Sequence, residues 1–237
     1  MRILVLAAHP DDEVLGMGGT IKKMTQKGHT VKIVILATGI EARRSTNFKN
    51  ISEYTISDKD SKIMKKQIEE IRQHAKKAAN VLGTKKIQFL DFPDNEMDKV
   101  SNLEITKSIE NIIDIFKPEK VFTHSPYDIN IDHRLIYQAV ITATRPNVKS
   151  NISEVYSFEI PSSTEWNFHT SFNPNVFVDI SKTLNYKLKA MKMYKTEIKQ
   201  FPHPRSILAL ESIAKRWGTV AGFKSAEAFN LVRKLEK

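Results

Sequence analysis

The chain contains no cysteine, so neither a disulfide framework nor a thiolate metal site is open to it. It also lacks any apolar run near the roughly 20 residues that cross a bilayer, so no membrane span is expected. The longest N-terminal apolar stretch, residues 3–8, is too short for a secretory core. It runs into His9-Pro10-Asp11-Asp12, an unsuitable cleavage site, and a cytoplasmic location is expected. There is no internal repeat, no low-complexity segment and no clear linker. One domain over residues 1–237 is therefore expected, long enough to enclose a sizeable core.

Acidic residues are outnumbered. Lys and Arg total 37 against 27 Asp and Glu, a formal net charge of +10 carried mostly by lysine. No recognition motif accompanies the charge, which reads as a solvated lysine coat with no nucleic-acid partner. Part of the field could draw in a phosphate-bearing substrate.

What is present is an alternation of short apolar runs with longer amphipathic stretches. Ile3–Ala8, Val31–Ala37, Ile87–Phe92 and Val121–Thr123 read as strands. Gly19–Lys27, Ser61–Leu82 and Asn102–Phe116 carry helical spacing, with Gly28 and Gly83 standing where C-terminal caps belong. This βαβαβαβ order predicts an α/β domain with a mainly parallel sheet and helices on both faces. A further helix is expected from Asp132 to about Thr144, then strands at Val155–Ile160 and Val176–Ile180. The tail reads as a helical C-terminal portion: Ser181–Gln200, Ile207–Lys215 and Ser225–Lys237. These long helices leave room for a homo-oligomer. Gly39–Lys59 is polar and without period, the pattern of a lid over a site at the same sheet edge.

Chemistry collects at the strand ends, where open parallel sheets bind their ligands. The first strand runs into His9, Pro10, Asp11, Asp12 and Glu13, an imidazole and three carboxylates ahead of Gly16, Gly18 and Gly19. So many buried charges need a compensating cation. His9 and Asp12, three apart across a tight turn, suit one divalent ion, and a catalytic zinc site usually takes three protein ligands. The third is His133 or His124; Asp128 and Asp132 favour His133, as carboxylates able to orient a liganding ring. Asp11 would then either cap the following helix or accept a proton from an activated water.

Ala8-His9-Pro10-Asp11-Asp12-Glu13 together with Asp128-Ile129-Asn130-Ile131-Asp132-His133 resembles the LmbE-like, or PIG-L, family of zinc-dependent N-deacetylases. The likeness extends over most of the chain, taking in Leu90–Asn95, Pro161–Trp166 and Phe201–Ser206. It implies a Rossmann-like α/β fold, metal ligands His9, Asp12 and His133, and Asp11 as general base. It also implies a small acetylated sugar or N-acetylglucosamine conjugate as substrate, with phosphate- or nucleotide-linked forms among the candidates. The implied cofactor is Zn2+, although two histidines and a carboxylate also suit Fe2+. One position departs from the pattern. Many members carry histidine where this chain has Asn130, and asparagine can donate a hydrogen bond but cannot shuttle a proton. Asp11 would then make both proton transfers, or His124 or His203 would replace the missing acid. A metal-containing sugar-binding protein with impaired catalysis is the alternative. Arg44 and Asp94 at strand ends, with Glu165, Trp166, His203 and Arg205 from the C-terminal half, are the expected substrate contacts.

Overall fold

The computed structural model describes residues 1–40, 58–146 and 151–236. Seven strands form one sheet in the order β3-β2-β1-β4-β5-β7-β6. They are β1 (Arg2–Ala7), β2 (Thr30–Ala37), β3 (Ile87–Phe92), β4 (Lys120–His124), β5 (Glu154–Phe158), β6 (Val176–Asp179) and β7 (Ala226–Lys234). The first five are mutually parallel, and β7 runs antiparallel between β5 and β6. Among the described residues six α-helices accompany them: α1 (Asp12–Gln26), α2 (Asp58–Leu82), α3 (Asn102–Phe116), α4 (Ile131–Ala143), α5 (Leu184–Met191) and α6 (Ile207–Ala221).

Alternation along β1 divides the core. Ile3 and Val5 face one apolar cluster with Ile21, Ile71, Ala75 and Met191, from α1, α2 and α5. Leu4 and Leu6 face the other, with Ile105, Ile109, Ile136 and Val140 from α3 and α4. A strand buried on both faces needs this unbroken apolar run. Among the described residues no helix is long and apolar enough to cross a membrane.

Three expectations are corrected. Ser225–Lys237 contains β7 instead of a helix: Gly222 closes α6 in the left-handed region at φ 75°, and β5 and β6 both offer open edges that the following residues fill. A short apolar run does not distinguish the two periods, and tertiary pairing decided it. Ser181–Gln200 is helical only over α5, after which turns bring Tyr194 and Glu197 inward. The first helix begins at Asp12, earlier than the expected Gly19. Of the expected lid, Gly39–Lys59, residues 41–57 lie outside the described residues, and its last two residues open α2.

Helix α1 is broken at Met17 (φ −150°, ψ 24°). Glu227 of β7 caps the restarted half, accepting from the Gly19 and Thr20 amides at 3.0 and 2.6 Å. Lys187 donates to the Leu15 carbonyl at 2.8 Å and to Glu227 at 2.7 Å. The break is therefore satisfied on both sides, as a buried helix interruption must be. A Cβ at Gly16 would fall 2.4 Å from the Phe158 ring, so only glycine lets α1 approach β5 there.

Glu159, just beyond β5, is buried and accepts from Trp217 Nε1 at 2.5 Å. Burial lifts its pKa to about 7 against the opposing Trp217 hydrogen bond. The folded chain thus binds this proton more tightly than the unfolded one. Glu159's contribution to stability is complete below the ordinary carboxylate range and is lost as pH rises to about 7. Relative to wild type, Glu159→Gln is expected to gain about 1–3 kcal/mol at pH 8 and little at pH 4, measured by urea unfolding.

Candidate metal centre and its surroundings

The strand order reverses at β1: the chain moves outward through β2 and β3, then returns to place β4 on the other side. Loops leaving adjacent strands in opposite directions open a crevice between the carboxyl ends of β1 and β4. His9 follows β1, and His133 sits in the first turn of α4, reached from β4. Although 124 residues apart, His9 Nδ1 and His133 Nε2 lie 3.2 Å from each other. Asp12 Oδ2 lies 3.4 Å from the first and 3.3 Å from the second. A tetrahedral ion with bonds of about 2.0–2.1 Å holds its ligand atoms about 3.3 Å apart. The three edges match that spacing, and imidazole nitrogen with carboxylate oxygen is a donor set suited to zinc or iron(II).

The far side of each ring is anchored. His133 Nδ1 faces Asp128 Oδ2 at 3.0 Å, and that oxygen also accepts from Ser163 Oγ at 2.9 Å and Thr164 Oγ1 at 2.6 Å. His9 Nε2 faces Asp132 Oδ2 at 3.0 Å and Asp94 Oδ1 at 3.1 Å. Asp132 is itself held by the Asn95 and Met97 amides. Such carboxylate–imidazole contacts fix which ring nitrogen is free to ligate. The two carboxylates expected near His133 therefore divide, Asp128 to His133 and Asp132 to His9. Asp94 also lies against His9, where a substrate contact was expected.

Electrostatics follow the same geometry. Burial opposes charge on His133, but the facing Asp12 carboxylate outweighs it and lifts the ring to about 9. Burial likewise works against ionised Asp12, yet His133 and His9 hold its carboxyl well below the usual range. The cluster favours positive charge at its centre. His124 does not join the set. It stacks on His133 with ring centroids 3.9 Å apart and planes at 13°. Its Nε2 accepts from the Ala8 amide at 2.8 Å, and burial keeps the ring neutral, well below the usual histidine range.

Asp11 occupies the N-cap position of α1 but makes no capping hydrogen bond, and its backbone is left-handed (φ 112°, ψ −24°). Its Oδ2 lies 3.2 Å from Arg205 NH1. Burial pushes its pKa well above the ordinary range, with Arg205 pulling the other way. Asn130 has two static tasks: Oδ1 caps α4 through the Asp132 amide at 2.9 Å, and Nδ2 donates to Asn95 Oδ1 at 2.8 Å. His203 Nδ1 accepts from the Arg205 amide at 3.0 Å, and its ring meets the half-exposed Trp166 edge-on at 6.3 Å. Arg44 lies outside the described residues. Sequence reasoning passed over Tyr194 and Glu197 as partners of this turn. Their roles carry no local signal, because the partners are about 180 residues distant in the chain.

Comparisons with known proteins show what the chain is similar to. The diacetylchitobiose deacetylase of Thermococcus kodakarensis is 32% identical over 242 residues, covering 98% of this chain and 83% of that protein. The solved N,N'-diacetylchitobiose deacetylase of Pyrococcus horikoshii superposes with a TM-score of 0.74 at 24% identity, covering 98% of this chain and 84% of that one. The fold alone does not dictate chemistry. GalB of Pseudomonas putida KT2440, a 4-carboxy-2-hydroxymuconate hydratase, shares it with a TM-score of 0.71 at 22% identity, covering 100% of this chain and 98% of that one. The profile of the GlcNAc-PI de-N-acetylase family, PIG-L, matches residues 4–144, a span that contains His9, Asp12 and His133. The chain belongs to the PIG-L family.

Proposed function

We propose that this protein is a metal-dependent amidohydrolase that removes the acetyl group from an N-acetylated amino sugar or a conjugate of one. The observation that carries the reading is the triangle of His9 Nδ1, His133 Nε2 and Asp12 Oδ2, with edges of 3.2–3.4 Å, next in the chain to Asp11, an aspartate held at φ 112°. The deacetylase relatives direct it toward acetylated sugars.

An ion held by these three atoms, zinc or iron(II), would supply Lewis acidity toward an amide carbonyl and lower the pKa of a water. The remaining work belongs to the chain. Asp11, its proton affinity raised by burial, accepts the proton of the attacking water and returns it to the departing nitrogen. Both transfers pass through Asp11 because Asn130 is committed to Asp132 and Asn95 and has no titrating proton. Asp128 and Asp132 hold the two rings so that His133 Nε2 and His9 Nδ1 point inward. Products are acetate and the free amine.

Acetate release from N-acetylglucosamine, its oligomers and its phosphate- or nucleotide-linked conjugates tests the reading. Full chelation should abolish turnover and zinc or iron(II) should restore it. Turnover untouched by complete metal removal would refute the mechanism, and sugar binding without acetate release would instead indicate a binding protein. Asp11→Asn should retain metal while kcat falls about 100-fold or more. Metal loss in that variant would mean that Asp11, not Asp12, is the ligand. Asp128→Ala removes the acceptor behind His133 and is expected to weaken zinc binding about 10–100-fold, read by competition with a chromogenic chelator.

A further inference from the structure

The segment joining α5 to α6 reaches back across the turn that carries Asp11. Tyr194 is fully buried, and its hydroxyl donates to Glu13 Oε1 at 2.6 Å. Glu13 Oε2 in turn accepts from the Asp11 amide at 3.2 Å. Eleven residues beyond Tyr194 on the same segment, Arg205 Nε donates to Ser162 Oγ at 2.9 Å. Its NH1 donates to Glu197 Oε2 at 3.2 Å and lies 3.2 Å from Asp11 Oδ2. A guanidinium is a rigid planar fork, so partners at Nε and NH1 fix its plane as well as its charge.

Asp11 needs such a partner. Ser101, Asn130 and Ser206 precede α3, α4 and α6 and direct their side chains into the helix as caps. Asp11 precedes α1 in a backbone conformation rare for anything but glycine, and its carboxylate bonds no helix amide. Strain of this kind persists where surrounding contacts over-determine it, typically at functional sites. Arg205 is the cation beside its buried Oδ2, 3.2 Å away, and that oxygen accepts no hydrogen bond among the described residues, so the contact is one of charge. A role for Arg205 as receptor for a substrate anion fits poorly. Two carboxylates, Asp11 and Glu197, already face its single positive charge, and a third anion would meet net repulsion.

We propose that Arg205, locked by Glu197 and Ser162, is a positioning residue: its charge, 3.2 Å from Asp11 Oδ2, fixes the orientation of the Asp11 carboxylate for the reaction. The kinetic consequence rests on the deacetylase reading above, whereas the structural consequence stands on geometry alone. Metal ligation is separate, because His9, Asp12 and His133 have their own anchors.

Crystal structures and steady-state kinetics of wild type, Arg205→Ala and Glu197→Gln test this together. In Arg205→Ala the Asp11 carboxylate is expected to rotate out of its wild-type position, with metal content unchanged. The kcat for acetate release should fall about 100-fold with KM within about twofold, since a misplaced catalytic group costs rate and not affinity. Glu197→Gln, which keeps the side-chain shape and loosens the guanidinium, should move both readouts in the same direction to a smaller extent and serves if Arg205→Ala does not fold. An unmoved Asp11 carboxylate overturns the inference, as does a loss expressed in KM with kcat intact, which would make Arg205 a substrate contact. A wild type releasing no acetate would refute the proposed activity, and the position of Asp11 in the variant crystals would still decide this inference.

Discussion

Charge compensation in a small, buried volume governs this molecule. Asp11, Asp12, Glu13, Asp94, Asp128 and Asp132 are all buried around two imidazoles, and isolated carboxylates are not tolerated at such depth. Each one has an assigned source of positive charge or of hydrogen-bond donors. Asp12 faces His9 and His133, Asp128 takes two hydroxyls and an imidazole, Asp132 takes two backbone amides and an imidazole, and Asp11 takes a guanidinium. The most concentrated part of the cluster is the triangle of two nitrogens and one oxygen, whose edges suit a single small dication.

The sheet makes that concentration possible. Reversal of strand order at β1 separates the loops after β1 and β4 and lets both lean into one crevice. The ligand triangle comes from a loop and first helical turns, while β1 beneath it is apolar along its buried length. A rigid two-sided core therefore supports a polar rim that is free to vary. The same scaffold in a hydratase relative of low identity illustrates that freedom.

The C-terminal half does more than complete the sheet. Glu227 and Lys187 satisfy the break in α1, the helix whose N-terminus bears Asp11, Asp12 and Glu13. Tyr194 and Arg205 hold the preceding turn directly. Residues 181–234 thus act on the same short peptide from several sides, which is how a non-glycine residue at φ 112° is retained.

Much of this was legible in the chain itself. Unbroken apolar runs over residues 3–8 and 33–37 point to strands buried on both faces, and amphipathic helices between them imply parallel pairing. His9-Pro10-Asp11-Asp12 at a strand end, with Asp128 and His133 after a later strand, marks a candidate metal centre because those residue types share few other reasons to be buried together. Local pattern could not supply the conversion of residues 226–234 from an expected helix to β7, since a short apolar run satisfies either period until a neighbouring edge selects one. Nor could it supply the pairing of Asp132 with His9 while its chain neighbour His133 turns to Asp128. That division, and the grip of Arg205 on Asp11 across 194 residues, depend on directions in space that arise only after the sheet reverses and the C-terminal segment folds back. Spacing along a chain encodes which groups can share a strand end; distance between side chains from separate segments is set by packing alone.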